Sequence, residues 1–234
     1  MVQGWDVVRR RSLFGTLARG AGLAALALAL IFGGLLALYA VAPPVSTLML
    51  ARKVEGRSYE RITVRLKDVA PQAVASVIAS EDAHFCTNDG VDWGALREVL
   101  HNARGEPRRG ASTITMQTAK NLFLWPGRSV VRKAIEIPMA LVIGKVWSKT
   151  RTIEIYLNIA EWGDGVFGIE AAAQRYFHKR ASQLDEREAA LLATALPNPA
   201  KRNPARPSAL QRRLAAGVMA RVSDRPELTA CLAK

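Results

Sequence analysis

From Gly20 to Ala42 the chain reads GAGLAALALALIFGGLLALYAVA, 23 residues without a charged side chain. About 20 helical residues, at roughly 1.5 Å each, cross a bilayer core of roughly 30 Å. The run is therefore long enough to span a membrane with some tilt. A cleaved signal peptide is the competing reading, but its apolar core is about 7–15 residues and ends at a small-residue cleavage site. Here the run is longer and closes on Tyr39 and then Pro43-Pro44, which favours an uncleaved transmembrane helix. No polar face interrupts it, which argues against a helix buried in a soluble core.

Arg9, Arg10, Arg11 and Arg19 precede the run and are opposed only by Asp6. Positive flanks on short segments stay in the cytoplasm. The expectation is a cytoplasmic tail (1–19), a transmembrane helix (20–42), a juxtamembrane linker (43–60) and an exported domain (61–234). Of the net charge of +13, the tail accounts for four arginines and one aspartate, so the exported part remains strongly basic. A basic surface fits nucleic acid, anionic lipid or an anionic substrate, besides serving solubility. A tethered domain outside the cytoplasm rarely meets nucleic acid, so phospholipid head groups or a lipid pyrophosphate are the expected partners.

After the prolines, Val45–Tyr59 carries apolar Val45, Leu48, Met49 and Ala51 beside Arg52, Lys53 and Arg57, suiting a short helix or linker on a lipid surface. Arg61–Leu66 alternates as a short strand, with no second strand of similar quality. The rest reads as eight to ten helices. These cover about 69–80, 92–101 with Asp92 as cap, 112–124 capped by Ser112 or Thr113, and 129–146 with a kink expected at Pro138. Further helices follow at about 150–160, 168–177, 186–196 capped by Asp185, and 208–223. Gly105–Gly110 reads as a loop, and Gly163–Gly168 as a glycine-rich turn without the GxGxxG of a nucleotide site. Cys86 and Cys231 form neither a CxxC nor a metal spacing, and free thiols and a disulfide both remain open.

Candidate chemistry begins with Glu81, which follows the apolar AVASVIAS and precedes Asp82 and Phe85. A carboxylate at the end of a buried helix sits where its pKa is raised, as general acid–base work requires. Spacing alone favours a helix-end acid paired with a nearby arginine. Glu136 lies four residues after Arg132 and three after Lys133, a pattern of plain intrahelical ion pairs. Ser112 to Asn121 places hydroxyls, an amide and a cation within three turns, which suits sugars and phosphates, or a cap plus a polar helix face.

Five ordered blocks change the weighing: SEDAHFCTNDGVDW (80–93), GASTITMQTAKNLF (110–123), RKAIE (132–136), KTRTIEIYLN (149–158) and GDGVFGIEAAAQRYF (163–177). Together they resemble the peptidoglycan glycosyltransferase family, specifically its monofunctional transglycosylases, over about Ile62 to Asn203. The same module forms the N-terminal half of class A penicillin-binding proteins. About thirty residues follow Asn203, so no transpeptidase domain is expected. The resemblance implies a mainly α, lysozyme-like glycosyltransferase domain with a membrane-proximal lobe, tethered by the N-terminal transmembrane helix in the bacterial inner membrane. It implies Glu81 as catalytic base and Glu136 at the donor site. Ser112, Thr113, Gln117, Lys120 and Asn121 would bind substrate, with Lys120, Arg128 and Arg132 near the donor pyrophosphate.

The implied substrates are lipid II and glycan on undecaprenyl pyrophosphate, with other cell-wall synthesis proteins as further partners. A divalent cation, Mg or Mn, would be a possible aid to the leaving pyrophosphate. Two positions depart from the family pattern: Asn88 stands where a histidine is usual, and Met116 replaces the first glutamine of a QQ pair. A membrane-anchored glycan-cleaving enzyme and a non-enzymatic cell-wall scaffold are the alternatives.

Overall fold

A computed structural model describes residues 3–101, 112–127 and 129–232. The chain divides into two compact units that meet between Ala42 and Pro43. The first is one helix, α1 (Gln3–Tyr39), of which Ala18–Tyr39 is apolar enough and long enough to cross a membrane. At about 1.5 Å per residue those 22 residues reach roughly 33 Å.

The second unit is mainly α, as expected. It contains α2 (Thr47–Val54), α3 (Pro71–Glu81), α4 (Trp93–His101), α5 (Ile114–Phe123), α6 (Val130–Val146), α7 (Lys149–Ile159), α8 (Ile169–Phe177), α9 (Glu186–Ala195) and α10 (Ala209–Asp224). The starts follow the sequence signals. Ser46, Ser129, Ser148, Asp185 and Ser208 each accept the backbone N–H three residues on. Asp92 accepts from Ala95 N at 2.9 Å and opens α4. α6 continues through Pro138 as one helix. The expected loop at 105–110 lies outside the described residues.

The core forms where α3 packs against α9 and α10, through Ala73, Val77 and Ile78 of α3 and Ala190 and Leu192 of α9, all buried. α5 is enclosed between α6 and α7.

The expected strand over 61–66 is corrected. Only Glu60–Arg61 forms strand β1. Beyond it the backbone bonds to side chains of α7: Val64 N donates to Asn158 Oδ1 at 2.8 Å, and Asn158 Nδ2 returns a bond to Val64 O at 2.8 Å. Leu66 N donates to Glu154 Oε2 at 2.8 Å. Asn158 and Glu154, one turn apart, replace a neighbouring strand.

The glycine-rich turn is also more than a turn. β2 (Glu161–Gly163) and β3 (Val166–Phe167) form a hairpin through Asp164-Gly165, with Gly165 at φ 73°. β3 pairs in parallel with β1, aligning Glu60 with Val166, to give the order β1-β3-β2. Buried Arg52 of α2 ties this sheet down through Glu161 at 2.9 Å and through Asp164.

Cys86 and Cys231 are joined in a disulfide, which settles the alternative left open by their spacing. The bridge fixes the 3-10 segment Pro226–Leu232 to the turn between α3 and α4.

Candidate active site

Glu81 is the last residue of α3 and is partly buried. Its Oε2 accepts from Gln117 Nε2 at 3.0 Å and its Oε1 from Ser80 Oγ at 3.4 Å. Burial pushes its carboxyl above the usual range, while the Gln117 and Ser80 bonds and the charges of Lys120 and Arg202 pull it back. The Gln117 amide is held from its other side by buried Tyr156 of α7, whose hydroxyl donates to Gln117 Oε1 at 3.0 Å.

The next residue, Asp82, is buried and serves α5. Its Oδ2 accepts from the Ile114 N–H at 3.0 Å, satisfying a donor that the first turn of a helix leaves unpaired. Asn88 Nδ2 donates to both Asp82 oxygens, at 2.9 and 3.2 Å. Asn88 Oδ1 accepts from Gly90 N and from Lys149 Nζ, which also lies 4.6 Å over the Phe85 ring. Burial lifts the Asp82 pKa to about 6, against the opposing pull of Ile114, Asn88 and Lys149. Asn88, read from the sequence as a departure, thus has a full set of partners.

Close backbone packing sets this loop against α6. A Cβ on Gly144 would stand 2.1 Å from Asp89 O, and one on Gly90, at φ 114°, would stand 2.5 Å from Ala140 O. The loop approaches because Gly144 and Ala140, one turn apart, leave a groove in the helix surface. Thr113 completes the joint: its hydroxyl donates to Gly90 O at 2.6 Å and accepts from Met116 N at 3.0 Å. Of the two candidate caps, Thr113 caps α5, and its buried hydroxyl is committed to backbone. Met116 is fully buried, so an apolar side chain suits that position.

One helix along, Glu136 is 2% exposed and accepts from Arg132 at 2.6 Å and Lys133 at 2.7 Å. Lys133 also donates to Ser112 Oγ at 2.8 Å. The ion pairs read from spacing are therefore present, and they coexist with burial. Lys120, partly buried, links the two halves. Burial lowers its pKa, and among charged neighbours Glu136 and Glu81 favour its cation whereas Arg132 and Lys133 oppose it. Asn121 is partly buried, with its carbonyl accepting from Thr47 Oγ1 at 3.1 Å. Arg128 lies outside the described residues.

No group of three or more His, Cys, Asp or Glu side chains converges among the described residues as metal ligands. Both Glu136 oxygens are taken by cations, so this carboxylate suits an ion-pair partner better than a metal ligand. The structure therefore brings Glu81, Gln117 and Lys120 together, and Ser112, Arg132 and Glu136 around Lys133. Sequence reasoning did not assign roles to Asp82, Lys149, Tyr156 or Arg202, and read Lys133 only as an ion-pair partner of Glu136. Tyr156 and Lys149 lie in the KTRTIEIYLN block, but helical periodicity does not say which neighbour each faces.

A partly buried carboxylate facing cations is chemically suited to group transfer from an anionic donor. The family model described as Transglycosylase matches residues 48–223, and the chain belongs to that family. It is similar to the biosynthetic peptidoglycan transglycosylase of Rhizobium meliloti (strain 1021), 52% identical over 190 residues, covering 81% of this chain and 80% of the relative. The protein of the same description from Nitrobacter hamburgensis is 52% identical over 196 residues, covering 83% and 86%. That from Agrobacterium fabrum (strain C58) is 51% identical over 205 residues, covering 86% and 91%.

Proposed function

We propose that this chain polymerises lipid II into β-1,4-linked peptidoglycan glycan strands by inverting glycosyl transfer, releasing undecaprenyl pyrophosphate. The observation that carries the reading is Glu81 itself: a carboxylate with its pKa raised by burial, held by Gln117 and facing Lys120 and Arg202. Glu81 takes the proton from the acceptor GlcNAc 4-hydroxyl as that oxygen attacks C1 of the donor MurNAc. The C1–O bond to the pyrophosphate breaks and the leaving group departs with its electron pair. A well-placed base contributes roughly 10²–10⁴-fold.

Negative charge then gathers on the leaving pyrophosphate, and preorganised cations lower that barrier. Lys120, Lys133, Arg132 and Arg128 supply them, while Ser112, Asn121 and Gln117 offer hydrogen bonds to sugar and phosphate. Glu136 orients Arg132 and Lys133. Thr113 acts through the start of α5.

The enzyme works as a single-pass protein of the bacterial inner membrane, with its N-terminus in the cytoplasm and its catalytic domain outside. Arg9, Arg10, Arg11 and Arg19 ahead of the apolar helix support that orientation. Val131, Ile135, Val142 and Val146 make an exposed apolar stripe along α6, which suits contact with lipid and with lipid-linked substrates. Other cell-wall synthesis proteins would join it there.

The test is purified full chain in detergent with labelled lipid II. Polymer is expected from the native chain and none from Glu81→Gln with its melting temperature retained. Equal turnover by that variant removes Glu81 as base, and fragments from finished glycan without polymer from lipid II overturn the synthetic reading.

A further inference from the structure

We propose that Tyr156 is a positioning residue for the Glu81 carboxylate, acting through the side-chain amide of Gln117. The inference rests on Glu81 being the base. Tyr156 is 1% exposed, and its hydroxyl has one hydrogen-bond partner among the described residues, Gln117 Oε1 at 3.0 Å. Gln117 Nε2 meets Glu81 Oε2 at 3.0 Å. The phenol, amide and carboxylate form a chain with only one direction open to it.

The argument is one of donors and acceptors. An amide presents an acceptor at one end and donors at the other, and an ionised carboxylate only accepts. With the phenol donating to Oε1, the amide must turn its N–H toward Glu81, and that end favours the ionised form, whose oxygens accept more strongly than those of the neutral carboxyl. Turning the amide over would offer Oε1 to a protonated Glu81. The phenol would then have to accept, and its own proton would lack a buried acceptor, which is an unfavourable state. Tyr156 thus biases the amide toward the orientation that keeps the base ionised.

This bias opposes the burial that raises the Glu81 pKa. The Tyr156 hydroxyl itself stays protonated, since burial and the nearby Glu81 and Asp82 push its pKa well up. The other charges around Glu81 are fixed by their own elements. Lys120 comes from α5 and Arg202 from the segment after α9, where it donates to Thr194 O. Arg221 of α10 donates to Ala79 O, and Lys149 of α7 stands at Asp82. Among the described residues the Tyr156 hydroxyl is bonded to Gln117, so a change at Tyr156 acts on that bond.

The experiment follows the pH dependence of lipid II polymerisation by the full chain in detergent for native protein, Tyr156→Phe, Gln117→Met and the double variant. Tyr156→Phe is expected to move the acid limb upward by about half a unit to one unit, so activity below the limb falls about three- to tenfold. At high pH the native rate should be approached. Gln117→Met should move the limb the same way, and Tyr156→Phe should add nothing in the Gln117→Met background. An unmoved limb in either single variant, or an undiminished shift in the double variant, overturns the proposal. Carboxyl ¹³C titration of Glu81, assigned with Glu81→Gln, reads the same shift without turnover. A shifted carboxyl in a protein whose Glu81→Gln variant remains active would retain the positioning role and reject the base.

Discussion

Asp82 accepts a hydrogen bond from the backbone N–H of Ile114 at 3.0 Å, across 32 positions of sequence. The residue after Glu81 is therefore the anchor for the first turn of the helix that carries Gln117 and Lys120. Carboxylate and cation are placed by one joint.

That joint titrates. The Asp82 pKa is raised by burial to about 6 from an ordinary 3.8. Between those values the folded state holds a proton that the unfolded state has released, so stability falls as pH rises through the window. Relative to Asp82→Asn, which does not ionise, the native chain should lose about 2 kcal/mol between pH 4 and pH 7. Denaturant titrations of both proteins at pH 4, 5.5 and 7.5 measure the difference, and parallel curves contradict it.

Glu136→Gln removes from Arg132, 8% exposed, its carboxylate partner among the described residues. Breaking a buried pair from one side costs about 3–5 kcal/mol. Adding Arg132→Met should restore much of that stability without restoring polymerisation. Chemical denaturation with turnover assays separates the two effects. Full activity in the double variant would deny the pair a part in catalysis.

Gly144→Ala tests the close contact of α6 with the loop. The new methyl meets Asp89 O at 2.1 Å, and backbone on both sides leaves no flexible atom to yield. A loss of about 1–3 kcal/mol is expected. Because the same loop carries Asn88 to Asp82, turnover should fall further than partial unfolding explains. A melting curve and a rate at 20 °C below the midpoint check both parts.

Cys86→Ser removes the link to the 3-10 segment. The bridged residues are 145 positions apart, and losing a native disulfide costs about 2–5 kcal/mol. Thermal melts with and without reductant should differ for the native chain and coincide for the variant.

Much of the helical frame was legible. Ser129, Asp185 and Ser208 announce helices because a cap and the apolar period after it are both local. The segment 62–66 misled because its alternation is real but its partners are Asn158 and Glu154, which periodicity sees only as polar positions on a distant helix. The hairpin was missed because its strands are two or three residues long, although Asp164-Gly165 is a turn pair. In the site, Glu81 and Glu136 stood out as motif positions, while Tyr156 did not. A buried tyrosine on an amphipathic helix reads as core until the amide it touches is known.

Among the described residues Cys231 follows every α-helix of the domain in the sequence, and Cys86 precedes all from α4 onward. Their bond cannot close until the intervening helices have been synthesised. The turn beside Glu81 consequently lacks this covalent tie until Cys231 has been made. A half-made chain already contains the glutamate but lacks the clasp that steadies its neighbourhood.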